Sequence, residues 1–380
     1  MIRMYTACTE EMDDPELAVM EIVSKLALKT RLMRNAVGII ACDYEFIETG
    51  VVQALSRALP FEVAGCTTLS SAAQGISGAE ILCISVLTSD DVRFAAALSP
   101  PLNMDDIDIP VRRTFEEARG ALGQAPDFML AYLPFIPDRS GSLILRALDA
   151  ASGGVPVFGG LSCAQVPNFT EGWAIHNEAS RNGAAALVLM AGNVRPRFFV
   201  NSIPESALPE ERGVITDAEG FIIKKINNVT FAEYIKKIGL REMLSQAIPL
   251  VVNSGSGSIA LGVQSITKEG YAVCSMEPPE NAHVALGQVE RRRLLEAAEE
   301  ATKTLLEVTD GQGILIHLCL ARSLLFGTNT QAEMRLVMEM IGDTRPCQIS
   351  YSAGELCPVL DERHAARNRL HNYAYIACVL

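Results

Sequence analysis

The sequence contains no apolar run as long as the ~18 residues that a membrane-spanning helix needs. Its first residues also lack the long apolar core and the cleavage pattern of a secretory signal. Positive charge is scarce, since 32 Lys and Arg stand against 45 Asp and Glu, for a formal net charge of −13. Nucleic acids and anionic membranes both need a positive surface, so neither is expected as a partner. These absences predict a cytoplasmic protein with no membrane insertion.

Familiar catalytic and metal-binding motifs are missing as well. None of the ten cysteines lies in a C-x-x-C pair, which disfavours a structural zinc site. In a cytoplasmic protein they are expected to be free thiols. The sequence shows neither a G-x-S-x-G nucleophile elbow nor an H-E-x-x-H pair, so no catalytic residue is predicted.

What the chain does contain is a pattern that occurs three times. Its 380 residues suffice for two or three domains with a large core. Each repeat reads strand, helix, strand, glycine turn, polar loop, strand, and the glycine turns fall at residues 61–68, 156–162 and 348–355. We therefore expect a mixed α/β (α+β) fold of layered sheets covered by helices, in two domains, 1–210 and 211–380.

Short motifs at four places resemble the FIST sensory domain, which has an N-terminal and a C-terminal part. They are residues 63–68 (Val-Ala-Gly-Cys-Thr-Thr), 157–161 (Val-Phe-Gly-Gly-Leu), a seam at 214–228, and a C-terminal set at 319–322, 354–355 and 371–372. One departure is that Ser352-Ala353 precedes Gly354-Glu355 where the family usually has another glycine. The resemblance implies a bacterial small-molecule sensor for amino acids or related small carboxylates. It also implies a signalling partner in trans, because no output segment is attached.

The predicted ligand site combines the glycine turns with charged and polar residues of the C-terminal part. Backbone N–H groups at the turns could hold an anionic ligand group, although turn geometry or close packing would explain the glycines equally well. Arg322 would receive a ligand carboxylate and Glu355 an amine; the alternatives are a mutual ion pair or separate solvated charges. The predicted ligand-binding residues are Gly65, Cys66, Thr67, Gly159, Gly160, Ser162, Arg322, Gly354, Glu355, His371 and Asn372.

Three other interpretations stay open at this stage. Cys66 could act as the nucleophile of an enzyme on an amide or a thioester, with His317 or His371 as its base. No cofactor is expected, but the same histidines are the candidates for a haem ligand, since a subset of the resembling proteins look like haem-based gas sensors. The chain could also be a partner-binding module without a ligand.

Overall fold

The computed structural model describes residues 1–103, 105–136, 141–164, 172–240, 249–254, 257–279, 281–287, 289–309, 311–360 and 366–380. The fold is mixed α/β, with 28% helix and 39% strand, as the sequence predicts. None of the described helices is long and apolar enough to cross a membrane.

The chain forms three units of the same order: strand, helix, strand, helix, strand, hairpin, strand. The first unit contains β1 (Arg3–Thr9), α1 (Pro15–Leu26), β2 (Asn35–Cys42), α2 (Glu45–Glu48), α3 (Val51–Ala58), β3 (Glu62–Thr67), β4 (Ser71–Ala73), β5 (Ile76–Gly78) and β6 (Leu82–Ser89). The second contains β7 (Val92–Leu98), α4 (Asp108–Leu122), β8 (Phe128–Pro134), α5 (Gly141–Ser152), β9 (Val157–Ser162), β10 (Trp173–His176), β11 (Ala179–Asn182) and β12 (Ala186–Gly192).

The third unit is interrupted by an insertion. It begins with β13 (Arg197–Asn201) and resumes with α7 (Arg291–Leu306), β22 (Ile314–Cys319), α8 (Leu320–Leu325), α9 (Ala332–Ile341), β23 (Cys347–Ser352), β24 (Glu355–Leu360), β25 (Ala366–His371) and β26 (Tyr375–Val379). The insertion holds β14 (Gly213–Glu219), β15 (Ile222–Ile226), β16 (Val229–Thr230), α6 (Phe231–Lys237), β17 (Leu250–Ser254), β18 (Gly257–Leu261), β19 (Val263–Ile266), β20 (Ala272–Cys274) and β21 (His283–Leu286).

The units are joined by an exchange of hairpins. The first sheet has the order β1-β6-β2-β3-β10-β11, the second β7-β12-β8-β9-β24-β25, and the third β13-β26-β22-β23-β4-β5. Each sheet thus ends in the hairpin of another unit, and the three exchanges form a closed ring. The insertion adds a separate sheet, β18-β17-β21-β14-β15-β20-β19, which we call the inserted sheet.

Each of the three exchanged sheets is buried on both faces, which explains their long apolar strands. One central cluster takes buried side chains from all three sheets, among them Ile39, Leu130 and Leu315. Outside it, separate clusters lie beneath α1 and α3, beneath α4 and α5, and beneath α7 and α9. The three repeats predicted from the sequence therefore form three sheets around one central core, which we call the three-sided core.

Local signals explain some element boundaries and miss others. Asp13 and Asp14 are both cap candidates before α1, and Asp14 is the cap, because its side chain accepts hydrogen bonds from the N–H groups of Glu16 and Leu17. Helix α4 was not predicted, and no side-chain hydrogen bond caps its start at Ile107. Strands β3 and β9 run to Thr67 and Ser162, past the glycines at which the sequence pattern placed their ends.

Candidate functional site

The predicted glycine turns converge on one point, where the carboxyl ends of β3, β9 and β23 meet. Thr68 Oγ1 donates a hydrogen bond to the Tyr351 carbonyl at 2.6 Å. The Cys163 N–H donates to the Thr67 carbonyl at 3.2 Å, and the Leu161 N–H donates to the Gly354 carbonyl at 2.8 Å. We call this junction, made of residues 65–68, 159–163 and 351–355, the glycine corner.

Two glycines of the corner are required by close backbone approach. Gly65 has a φ of +157° and lies between Ile40 and Ile175 of the flanking strands. A Cβ at Gly65 would lie 1.9 Å from the Ile40 carbonyl oxygen, and one at Gly159 (φ +149°) would lie 2.0 Å from that of Ala131. The geometry thus matches the close-packing alternative for these glycines.

The corner is filled by the protein's own side chains. Thr67, Ser162 and Glu355 have no exposed surface. A Cβ at Gly160 would lie 2.7 Å from the Ser352 Cβ, so even this glycine faces a neighbour. The structure therefore brings most of the predicted site residues together, but in a packed junction.

Glu355 is a fully buried carboxyl group inside this junction. One carboxylate oxygen accepts a hydrogen bond from Ser352 Oγ at 2.8 Å, and the other accepts from the Ala374 N–H at 3.3 Å. Burial raises its pKa to about 8, although these hydrogen bonds act in the opposite direction. The group is therefore largely protonated at neutral pH, which makes it a poor partner for a ligand amine.

One alternative from the sequence was an ion pair between Arg322 and Glu355, and another was that both charges are solvated. The structure shows neither arrangement for Arg322. It is fully buried on α8, and its Nε lies 3.1 Å from both carboxylate oxygens of Glu333 on α9. Its Nη2 also binds Glu333, and its Nη1 donates to the Tyr373 carbonyl at 3.1 Å. Because this network occupies every nitrogen of the guanidinium, the structure leaves no room at Arg322 for a ligand carboxylate.

Neither candidate histidine is placed to bind haem iron. The His317 ring packs 5.3 Å from the ring of Phe158 and 6.1 Å from that of Tyr132, and its Nδ1 lies 2.9 Å from Ser350 Oγ. His371 Nε2 lies 3.1 Å from the Cys357 carbonyl. Burial lowers the pKa of each ring to about 4. Both rings are packed, hydrogen-bonded core residues, and the site does not fit a haem.

Cys66 likewise lacks the surroundings of an activated nucleophile. Burial raises its pKa well above the ordinary value, and the nearby Cys163 thiol acts in the same direction. A reactive cysteine needs a thiolate, which positive neighbours or N–H dipoles stabilise. The Cys66 thiol stays protonated, so the geometry does not support the enzyme interpretation that depended on it.

An open cavity lies beside the corner, between the third sheet and the inserted sheet. Its volume, counted as space open to the centres of water molecules, is about 70 Å³. The described residues that line it come from both sides: Phe135, Cys319, Leu320, Ala321, Ala353, Asn372 and Tyr373 from the core, and Gly262, Val263, Gln264 and Ser275 from the insertion. We call it the insert cavity.

Two side-chain amides that line the insert cavity each have one atom without a hydrogen-bond partner among the described residues. Asn372, only 9% exposed, has a buried Nδ2 with no hydrogen-bond acceptor among the described residues. Gln264 has a buried Oε1 that accepts no hydrogen bond from any of them. Buried polar atoms are rarely left unpaired in proteins, so these two atoms mark polar groups that a hydrogen-bonding group beside them could satisfy. Both atoms belong to residues that line the cavity, one a potential donor and the other a potential acceptor.

Sequence reasoning found only part of this cavity. Asn372 is the one predicted site residue among its described lining, although residues 319–321 belong to the motif that carried the FIST resemblance. Phe135, Gln264 and Ser275 were missed. Nothing local marks them, because their role arises only when the insertion folds back on the third sheet.

Comparison with known proteins identifies the family. No curated protein matches the chain. Two solved structures align with the chain at 9% and 8% identity: a cyanuric acid hydrolase from A. caulinodans (TM-score 0.36) and a chorismatase (TM-score 0.34), each over 100% of this chain and 99% of its own. The family model for the FIST N domain matches residues 36–229, and that for the FIST C domain matches residues 230–358. The chain belongs to the FIST family, whose domains are described as small-ligand sensory domains.

Proposed function

We propose that this protein is a cytoplasmic sensor that binds a small molecule in the insert cavity and passes the signal to a partner protein. The observation that carries the proposal is the unpaired, nine-tenths buried Asn372 on the cavity wall. A buried donor without an acceptor costs about 1–3 kcal/mol. A ligand that supplies the acceptor recovers that free energy on binding.

The size of the cavity limits the ligand. The space open to the centres of water molecules, about 70 Å³, is room for a small molecule. The apolar side chains of Phe135, Val263 and Leu320 suit a short hydrocarbon part. A small amino acid or its amide combines such a short hydrocarbon part with polar groups.

The charge of the cavity bears on the ligand's polar group. Among the described lining residues there is no Lys, Arg, Asp, Glu or His. Arg322, next to the lining residue Ala321, is already paired with Glu333. A buried carboxylate without a cation is costly, whereas an uncharged amide presents both an acceptor for Asn372 and a donor for Gln264. We therefore place small amides ahead of the amino acids and carboxylates that the sequence suggested.

The position of the cavity suggests how binding is reported. Gln264 and Ser275 belong to the insertion, while Asn372 and Tyr373 belong to the loop between β25 and β26. A ligand that bonds to both Gln264 and Asn372 ties the inserted sheet to the three-sided core. A partner that recognises this tied arrangement would read the signal, because a ligand shifts a conformational equilibrium toward the state it binds better.

A thermal-shift screen tests the proposal, with three matched sets: small primary amides, the corresponding carboxylates, and small amino acids. At a ligand concentration of 100 times Kd, binding adds about 2.7 kcal/mol to the free energy of unfolding. We expect the largest rise in Tm from an amide, and no rise in Asn372→Ala.

The matched control is Gln53→Ala, which removes another unpaired buried amide oxygen, on α3 and outside the cavity. It should keep the full ligand response. A rise from carboxylates alone would contradict the amide preference but keep the sensor. If no compound in the three sets raises Tm, or if Asn372→Ala responds like the native protein, the cavity is not the ligand site.

A further inference from the structure

Two cysteines far from the insert cavity lie directly opposite each other in the first sheet. Cys8 of β1 and Cys83 of β6 are partners in the antiparallel register. Both are fully buried, and they form a small cluster of their own with Ala73 and Ile81. Opposite residues of an antiparallel pair have Cβ atoms about 4.5–5.5 Å apart, close to the 3.5–4.5 Å of a disulfide.

This pair is distinct among the ten cysteines, all of which are free thiols within the described residues. The strand registers place no other two cysteines opposite each other. Cys42, for example, faces Thr67 and Leu82, and Cys319 faces Ser352.

The two thiols differ in character. The hydrogen bond from the Cys83 thiol lowers the pKa of Cys8, and the nearby Lys25 ammonium acts in the same direction, while burial and the Glu10 and Glu21 carboxylates oppose them. Burial raises the pKa of Cys83 well above the ordinary value. Such a difference suits a pair in which one sulfur attacks as thiolate and the other follows as thiol.

A solvent-open cavity borders Cys8. It has a volume of about 380 Å³ and is lined by Cys8, Thr9, Glu10, Glu11, Glu21, Lys25 and Ile76. Lys25 Nζ donates a hydrogen bond to the Cys8 carbonyl at 2.8 Å, which places its charge beside this residue. Since no sulfur of the pair is exposed, a reagent must be small to reach it.

We propose that Cys8 and Cys83 are a site of reversible oxidation by a small hydroperoxide such as hydrogen peroxide. The Cys8 thiolate attacks one peroxide oxygen; the S–O bond forms, the O–O bond breaks, and hydroxide leaves. The Cys83 sulfur then attacks the Cys8 sulfenic acid, forming the S–S bond and releasing water. In total, two thiols are oxidised by two electrons, and one peroxide is reduced to two waters. A dithiol reverses the reaction by thiol–disulfide exchange.

Peptide mapping of the native protein tests this site. The protein is treated with hydrogen peroxide, its remaining thiols are alkylated in denaturant, and it is digested with a protease that cleaves after Glu. Cleavage after Glu10, Glu80 and Glu116 isolates Cys8 in residues 1–10 and Cys83 in residues 81–116, while Cys66 stays in 63–80. We expect a linked pair of the first two peptides, a loss of two of the ten thiols, and recovery of both with dithiothreitol.

Two variants sharpen the result. Cys83→Ser should stop at the Cys8 sulfenic acid, which dimedone traps, while Cys66→Ser should form the same linkage as the native protein.

A bulky aromatic disulfide should not label Cys8 in the folded protein. The proposal is overturned if peroxide oxidises other cysteines while Cys8 and Cys83 stay reduced, or if the linked peptides involve another pair. Because the linkage is read in the native protein, poor folding of a variant does not obscure the outcome.

Discussion

The glycine corner and the insert cavity lie side by side, yet they differ in how their polar groups are used. In the corner, Thr68, Ser162 and Glu355 all have hydrogen-bond partners within the protein. In the cavity, Asn372 and Gln264 each have a buried atom without one. The corner is built by the threefold repeat, whereas the cavity exists only where the insertion meets the third unit. The three repeated units therefore form the fold, and the insertion creates the candidate site.

The largest effect is expected outside both regions, at the buried ion pair between Arg322 of α8 and Glu333 of α9. Arg322→Ala leaves the Glu333 carboxylate buried and unpaired, since both side chains of this pair have no exposed surface. Breaking a buried ion pair costs about 3–5 kcal/mol. We expect a loss of that size in the free energy of unfolding, measured by chemical denaturation.

The double variant Arg322→Met, Glu333→Leu is the control for the charge itself. Replacing both partners by apolar residues of similar volume often restores stability. The double variant should therefore be clearly more stable than Arg322→Ala. Equal stability of the two would mean that packing at α8 and α9, not the lone charge, causes the loss.

Next in size is a methyl group added to the corner. Gly65→Ala places a Cβ against the Ile40 carbonyl at a φ that other residues rarely adopt. Overpacking of this kind costs about 1–3 kcal/mol. The matched control is Gly120→Ala in α4, where an added Cβ meets none of the described atoms within 4 Å outside its own helix backbone, and where alanine should stabilise the helix by about 0.5–1 kcal/mol. Denaturation midpoints that move in the same direction for both variants would contradict the close-packing role of Gly65.

The sequence was informative wherever the signal was local. The apolar runs and the glycine turns predict the three units. Asp14, a residue type that favours helix N-termini, is the cap of α1. The sequence was uninformative about partners set by tertiary structure. The sequence indicated that Arg322 needs a negatively charged partner. It could not identify Glu333, which lies on another helix, because spacing along the chain does not distinguish Glu333 from Glu355. The exchange of hairpins, such as β24 of the third unit pairing with β9 of the second, leaves no trace in the local pattern.

The corner and the cavity should also differ in their response to pH. Glu355 has a pKa of about 8 in the folded protein against an ordinary value of 4.5. Between these values the unfolded chain has lost the proton that the folded protein keeps, so unfolding is favoured as pH rises. We expect Glu355 to lower stability progressively from about pH 4.5 to about pH 8, with no further change above.

Glu355→Gln isolates this contribution, because glutamine mimics the protonated acid. Stability curves of the native protein and of the variant, measured by denaturation from pH 4 to pH 9, should diverge as pH rises to about 8. Parallel curves would mean that Glu355 ionises in the folded protein as readily as in the unfolded chain.

The smallest effect on stability is expected in the cavity, where the substitution removes a cost as well as contacts. Asn372→Ala removes a buried Nδ2 that has no acceptor among the described residues, and so removes a desolvation cost along with a few packing contacts. Without ligand, the variant should unfold within about 1 kcal/mol of the native protein, on the stable side if the unpaired donor outweighs the contacts. A loss of 2 kcal/mol or more in denaturation would show that Asn372 supports the fold as the corner residues do. The contrast between a closed corner and a cavity kept open for a ligand would then disappear.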